Sequence, residues 1–134
     1  MSEADQITEL LKTAKTIAVV GLSNNPMRAA YGVSAYLQTQ GYRIIPVNPE
    51  ADVVLGEKAY KSLSDVPDQI DVVDIFRRSE FVGPIVDEAI QKGAKAVWMQ
   101  ETVVDEQAAK KARDKGMFVV MDRCILKEHR KRER

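Results

Sequence analysis

Small and cationic side chains that suit a phosphate group follow the first apolar run of the chain. Thr16–Val20 is followed by Gly21, Ser23, Asn25 and Arg28. Ser23 and Asn25 can donate hydrogen bonds to phosphate oxygens, and Arg28 can form a bidentate pair with them. The helix predicted directly after this loop points free backbone N–H groups and the positive end of its dipole toward the same place. The spacing therefore predicts an anion site in this loop.

Polar residues also follow each of the other four apolar runs. They are Asn48 and Pro49, then Arg77, Arg78 and Ser79, then Gln100, Glu101 and Thr102, and finally Asp122, Arg123 and Cys124. Because the carboxyl ends of parallel strands meet at one edge of a sheet, these side chains are expected to line one ligand crevice. Arg77 and Arg78 are adjacent and are expected to diverge, so that one of them adds a second cation. Such a layout suits a ligand with phosphates at two separated places.

The elements that position these residues alternate along the chain. Runs rich in Val and Ile predict buried strands at 16–20, 42–47, 72–75, 96–99 and 117–121. Helical spacing of apolar residues predicts helices around 7–14, 30–40, 82–90 and 105–115, with a short turn near 62–66. With no hairpin signal, this alternation predicts right-handed crossovers and an α/β fold with a parallel sheet covered on both faces. We expect a single domain over 1–134, ending in a short basic tail from about Lys127.

Bulk composition narrows the partners and the chemistry. The 134 residues carry 20 basic and 20 acidic side chains, so neither nucleic acid nor membrane is an expected partner. No apolar run is long enough to cross a bilayer, and the single cysteine, Cys124, fits a reducing, cytoplasmic location. No metal-ligand cluster or nucleophile–base pair is evident, so no catalytic residue and no metal are expected. Trp98 is expected in the core, and His129, the only histidine, is expected to be solvated.

The two usual signals for NAD are missing. A dinucleotide-binding turn needs G-x-G-x-x-G, but Gly21 stands alone, with Ser23 and Asn24 where glycines are expected. An Asp or Glu that would accept from the ribose hydroxyls is replaced by Asn48. An NAD(P)-binding oxidoreductase or sensor is therefore kept only as an alternative.

Five motifs in a fixed order carry a resemblance to a known family. They are Gly21-x-Ser23-x-x-Pro26-x-Arg28, YRIIPVNP at 42–49, DIFRR at 74–78, VWMQ at 97–100 and VVMDRC at 119–124. Over roughly residues 8–129 the chain resembles the single-domain CoA-binding proteins, which are similar to the CoA-binding domain of the succinyl-CoA synthetase α subunit. The resemblance implies a Rossmann-like, doubly wound, five-stranded sheet of order 3-2-1-4-5. It also implies coenzyme A, or an acyl-CoA, bound across the strand ends.

The resemblance further implies a role for each group of residues at the strand ends. The groups are Gly21, Ser23, Asn25 and Arg28 around the pyrophosphate, Pro46, Val47 and Asn48 beside the adenosine, Phe76 and Arg77 over the nucleotide or its 3′-phosphate, Gln100 and Glu101 along the pantetheine arm, and Cys124 near the thiol. Relatives often have Ser at the position of Ala30 and Gly at that of Thr102. Ala30 removes a hydroxyl that would point at phosphate, and Thr102 would restrict the backbone beside the pantetheine path.

These observations favour a binding module that holds CoA or an acyl-CoA as a carrier, sensor or regulatory module, without evident catalysis. An alternative is a thiol-redox or acyl-transfer protein in which Cys124, beside the cation of Arg123, acts as the nucleophile. The sequence does not identify a protein partner, an acyl group or a pathway.

Overall fold

Residues 1–133 are described by a computed structural model, in which strands and helices alternate as predicted. The helices are α1 (Glu3–Thr13), α2 (Ala29–Thr39), α3 (Val82–Lys92), α4 (Glu106–Asp114) and α5 (Ile125–Arg132). The strands are β1 (Thr16–Val20), β2 (Arg43–Val47), β3 (Val53–Val54), β4 (Glu57–Lys58), β5 (Val72–Ile75), β6 (Ala96–Met99) and β7 (Phe118–Val120). Short 3-10 turns at Leu63–Asp65 and Ser79–Phe81 precede and adjoin α3.

The main sheet is parallel and has the order β2-β1-β5-β6-β7. The expected order 3-2-1-4-5 is recovered only when an extra rung is counted, an isolated parallel bridge between Tyr60 and Val47 at the outer edge of β2. With that rung as the third strand, the order is 3-2-1-4-5-6. Val72–Ile75 is the third strand of the main sheet along the chain, but it pairs directly with β1 and does not lie outside β2. Its four residues are all buried, which suits an inner position.

Both faces of the sheet are covered by helices, as expected for a doubly wound fold. One face packs against α3 and α4 through buried side chains that include Val82, Val86, Ala109 and Ala112. The other face packs against α1, α2 and α5, with buried side chains that include Ile7, Leu37, Trp98 and Ile125. Trp98 is fully buried, which confirms its predicted place in the core. No helix among residues 1–133 has the length and apolar character needed to span a membrane.

The edge position of β2 follows from its sequence. Pro46 has no N–H to donate to a neighbouring strand. A strand that contains proline is therefore expected at the edge of a sheet, where one side of its backbone does not pair with a complete strand. The Pro46 carbonyl still accepts from the N–H of Tyr60 at 3.0 Å. The edge is therefore partly closed by the Tyr60 segment and not by a complete strand.

Two parts of the fold differ from the predictions. A small antiparallel hairpin joins β3 to β4, although no hairpin signal was found. Its turn residues, Leu55 and Gly56, both have positive φ. Such turns usually contain Asn, Asp or Gly at both central positions, so the leucine gave no signal for a hairpin. The supposed basic tail is the helix α5, which docks on α1 because Arg132 Nε donates to Thr8 Oγ1 at 2.6 Å. The sequence did not predict this helix because most of its residues are charged and its apolar face is short.

His129 is consequently not solvated as expected. Its ring lies half-buried between α5 and α2, where Nδ1 is 2.7 Å from the Tyr36 hydroxyl. The rings of Tyr36 and Tyr42 approach it edge-on, with centroid distances of 5.4 and 5.8 Å. His129 therefore helps to dock the last helix.

Candidate functional site

A crevice of about 750 Å³ lies above the carboxyl ends of β2, β1 and β5. Its floor is a ladder of backbone hydrogen bonds that continues past the strands. The N–H groups of Phe76, Gly21 and Asn48 donate in turn to the carbonyls of Val20, Val47 and Tyr60, at 2.9, 2.9 and 2.8 Å. The volume is that of a site for a small molecule or cofactor. The crevice thus lies where an open α/β sheet is expected to bind its ligand.

Gly21 lets the loop between β1 and α2 lie against the end of β5. Its φ is +97°, and a Cβ built there would lie 2.5 Å from the Phe76 carbonyl oxygen. No other residue fits that approach without moving the backbone. The predicted importance of this glycine therefore has two physical causes, its conformation and its contact.

The β1–α2 loop presents free donors to the crevice. Ser23, Asn25 and Arg28 all line it, as expected. Asn25 uses its Oδ1 to accept from the N–H of Met27 at 3.0 Å, which leaves the Nδ2 donors free of that contact. Arg28 occupies the N-cap position of α2, makes no capping hydrogen bond with its side chain, and forms no salt bridge with residues 1–133. The Tyr31 N–H donates to the Arg28 carbonyl at 3.1 Å, and no side chain of residues 1–133 caps the first turn of α2, next to the loop predicted to bind an anion.

Two arginines on the opposite side of Gly21 also face the crevice. Arg77 and Arg78 both line it, so the expectation that they diverge was wrong. Their guanidinium carbons lie 4.8 and 5.8 Å from the centre of the Phe81 ring. Neither arginine forms a salt bridge with a carboxylate of residues 1–133. With Arg28, these side chains make this part of the crevice cationic.

The end of β2 forms the other wall. Val47 and Asn48 line the crevice, whereas Pro46 is buried and is not among the lining residues. Asn48 Nδ2 donates to the Leu22 carbonyl at 3.1 Å, and its Oδ1 accepts from the N–H of Glu50 at 2.8 Å. Asn48 therefore joins the β2 end to the β1–α2 loop and shapes the wall.

The three remaining predicted residues lie outside this crevice, toward β6 and β7. Gln100 is buried, and its Nε2 donates to Asp74 Oδ1 at 2.6 Å. Glu101 is exposed and pairs with Lys127 at 2.9 Å. Cys124 is half-buried, immediately precedes α5 and packs against the core face that contains Trp98. These residues continue the row of strand ends without sharing the cationic crevice.

The Gln100 partner, Asp74, is a carboxyl group enclosed within the sheet. Burial raises the pKa of Asp74 to about 7, although the hydrogen bond from Gln100 acts in the opposite direction. The Asp74 Oδ2 atom has no hydrogen-bond partner among residues 1–133. Asp74 lies on a strand and not in the crevice, so its environment bears on stability more directly than on ligand binding.

Sequence reasoning missed a group of crevice residues that lie beyond β2 and in or just before α3. The group comprises Glu50, Lys61, Ser62, Leu63, Phe81, Ile85 and Glu88. Lys61 and Ser62 reach the crevice because Tyr60 forms the extra rung beside Val47. A single bridged residue leaves no periodic signal, so nothing in the sequence marks the residues that follow it.

The arrangement is suited to binding an anion. The crevice combines cationic side chains, the polar side chains of Ser23 and Asn25, and apolar surface from Phe76, Phe81 and Ile85. Within residues 1–133 no group of three His, Cys, Asp or Glu side chains is placed to hold a metal ion. An aromatic and aliphatic wall beside a cationic loop matches a ligand with a ring system next to phosphates.

Comparisons with known proteins identify a family model and relatives that match this chain. The family model described as "CoA binding domain" matches residues 15–130. The uncharacterized protein YneT of Bacillus subtilis is 44% identical over 124 residues, which are 92% of each chain. A hypothetical protein from Pyrococcus horikoshii OT3 has a solved structure with a TM-score of 0.94 and 42% identity, covering 97% of this chain and 92% of that one.

A larger enzyme contains a similar segment. Acetate–CoA ligase (ADP-forming) II of Archaeoglobus fulgidus is 32% identical over 100 residues, which are 73% of this chain but only 15% of the ligase. The matched segment is therefore a small part of that enzyme, and most of the ligase has no counterpart in this chain.

Proposed function

Because the chain belongs to the CoA-binding domain family, we propose that it binds coenzyme A or an acyl-CoA in the crevice above β2, β1 and β5. Its proposed role is that of a carrier, sensor or regulatory module without evident catalysis. The observation that carries this proposal is that Arg28, Arg77 and Arg78 line one crevice and form no salt bridge with a carboxylate of residues 1–133. Arg28 also stands at the N-terminus of α2, which no side chain of these residues caps. A diphosphate satisfies those cations and N–H groups together.

The nucleotide end of the ligand lies across β1 and β2 in this proposal. The pyrophosphate binds at Gly21, Ser23, Asn25 and Arg28, where the donors converge. The adenosine lies toward Val47 and Asn48, at the end of the strand that contains the buried Pro46. Phe76 and Arg77 border the nucleotide on the β5 side. Their apolar and cationic surfaces match a purine ring beside phosphates.

The pantetheine arm runs in the other direction, along the ends of β6 and β7. The strand order supports this course because β6 and β7 follow β5 in the sheet. Adjacent strands are about 4.8 Å apart, so the β7 end lies about 10 Å beyond β5. An extended arm on this course passes Gln100 and Glu101 and ends near Cys124. The Glu101–Lys127 ion pair borders the same course.

Isothermal titration calorimetry of the purified chain with CoA, acetyl-CoA and NADH tests the proposal. CoA is expected to bind with 1:1 stoichiometry. NADH is not expected to bind, because the chain lacks the glycines and the carboxylate for the ribose hydroxyls that NAD-binding sites use. The substitution Arg28→Met removes one cation from the diphosphate and is expected to weaken CoA binding about tenfold. Lys115→Met, an exposed position after α4, is the matched control and leaves the affinity unchanged.

Native mass spectrometry of the same preparation identifies a retained ligand. A mass excess that disappears on denaturation and equals an acyl-CoA supports the noncovalent carrier or sensor and names its acyl group. Calorimetry that detects NADH and no CoA would overturn the proposal.

A further inference from the structure

The outer wall of the crevice is built by a segment that behaves as one rung of an additional strand. Tyr60 donates its N–H to Pro46 O at 3.0 Å and accepts from Asn48 N–H at 2.8 Å. Lys61 therefore follows this rung just as Arg77 follows the last residues of β5, and both side chains line the crevice. The structure thus places a fourth cation at the far end of the row.

The Lys61 ammonium is available to a ligand. Its Nζ donates to the Pro49 carbonyl at 3.2 Å, which holds the side chain at the rim and leaves its other N–H donors unused by that contact. Lys61 forms no salt bridge with a carboxylate of residues 1–133. Two carboxylates share the wall, those of Glu50 and Glu88, and Glu88 Oε2 already accepts from Ser64 Oγ at 2.8 Å. An anion at Lys61 would therefore give this cation a partner.

The position of Lys61 separates it from the diphosphate site. Neighbouring strands are about 4.8 Å apart, so the Tyr60 rung is about 10 Å from the β1 rung that carries Gly21. Arg77 lies directly beside Gly21, since its Cδ is only 3.3 Å from the position of a Cβ built on that glycine. Arg77 consequently belongs with the diphosphate, and Lys61 faces a different part of the ligand. In nucleotide-binding sheets the ribose lies toward the end of the second strand.

We infer that Lys61 forms a second anion subsite, which binds a phosphate carried on the ribose of the nucleotide. The inference deepens the proposed function and rests on it, because in CoA that group is the 3′-phosphate. The subsite makes the crevice discriminate CoA from dephospho-CoA, which lacks this phosphate and is otherwise identical.

Calorimetric titration with CoA and with dephospho-CoA tests the inference on three forms of the full chain: unchanged, Lys61→Met and Lys58→Met. Lys58 is the control because its ammonium lies over the Tyr60 ring, 5.1 Å from the centre, and it does not line the crevice. The unchanged chain is expected to bind CoA about tenfold more tightly than dephospho-CoA. Lys61→Met is expected to bring this ratio close to one by weakening CoA binding alone. Lys58→Met keeps the ratio.

Several outcomes would overturn the inference while CoA binding stands. They are equal affinity of the unchanged chain for both ligands, equal weakening of both ligands by Lys61→Met, and loss of the ratio in Arg77→Met with its retention in Lys61→Met. Absence of binding by CoA, dephospho-CoA and NADPH alike overturns the proposed function and the inference together. Titration with NADPH and NADH separates the two sources of a ribose phosphate. Selective binding of NADPH that depends on Lys61, without CoA binding, would uphold the subsite and overturn CoA as its ligand.

Discussion

Thr102 holds a backbone conformation that its side chain disfavours. Its φ is +72°, in the left-handed region that β-branched residues rarely adopt. The conformation is held because the Thr102 N–H donates to Asp122 Oδ1 at 2.7 Å, and Asp122 itself has a φ of +57°. The loops after β6 and β7 therefore brace each other. A glycine would adopt this left-handed conformation without strain.

The substitution Thr102→Gly is expected to raise the free energy of unfolding by about 1 kcal/mol. Relief of the left-handed strain, worth about 1–3 kcal/mol, exceeds the extra chain entropy of glycine, about 0.5–1 kcal/mol. Urea unfolding followed by circular dichroism measures the difference. Thr102→Ala is the control, because it removes the branched side chain and keeps a Cβ. A glycine variant no more stable than the alanine variant would refute the explanation by strain.

At the scale of elements, the last helix is held by a network around one carboxylate. The Glu128 side chain is only 8% exposed, and it accepts from Lys131 at 3.1 Å and from Arg132 at 3.0 Å. Arg123, which precedes α5, lies 3.6 Å from Glu128 and also pairs with Glu3 of α1 at 2.9 Å. Burial acts to raise the pKa of Glu128, but the hydrogen bonds from Lys131 and Arg132 outweigh it and the pKa is lowered. The network joins α5 to α1 across the full length of the chain.

Glu128→Ala is therefore expected to lower the free energy of unfolding by about 2 kcal/mol, because hydrogen bonds to charged groups are lost. The control is Glu9→Ala, at an exposed position on α1 without a salt bridge to residues 1–133. Thermal unfolding at pH 7 compares the two variants with the unchanged chain. Equal melting temperatures for Glu128→Ala and Glu9→Ala would show that the network does not hold the helix.

At the scale of the whole molecule, the free energy of unfolding depends on pH through several carboxyl groups, and these groups act in opposite directions. Asp71 accepts from the N–H groups of Lys15 and Thr16, which outweigh its burial and lower its pKa. Asp71 and Glu128 thus contribute stability above their ordinary pKa values, and this contribution is lost as the pH falls through the lowered values. Asp74 behaves in the opposite way, because burial raises its pKa to about 7.

The contribution of Asp74 falls as the pH rises from about 4 to 7. In this window the unfolded chain has lost the Asp74 proton and the folded chain has kept it, so folding binds one extra proton. The free energy of unfolding is expected to fall by up to about 1.4 kcal/mol per pH unit relative to Asp74→Asn, which cannot titrate. Urea titrations of both proteins at several pH values give this difference. A difference that does not change between pH 4 and 7 would show that Asp74 is ionised throughout.

The sequence by itself determined the alternation of elements and the loop after β1. Buried runs of Val and Ile specify strands through their apolar character alone, so β1, β5 and β6 were predicted with their observed bounds. Gly21 and the donors up to Arg28 were found because they are contiguous and their chemistry is local. The motif order along the chain also indicated the family, which the match over residues 15–130 confirms.

Only the tertiary structure decided which segments stand side by side. The Tyr60 rung depends on a backbone pairing with Pro46 and Asn48, and such a pairing leaves no mark in side-chain type. Lys61 gained its place in the crevice through that pairing alone. Helix α5 likewise depends on partners more than a hundred residues away, such as Thr8 for Arg132. Periodicity reports which residues are apolar, whereas contacts between distant segments arise from the packing of the complete chain.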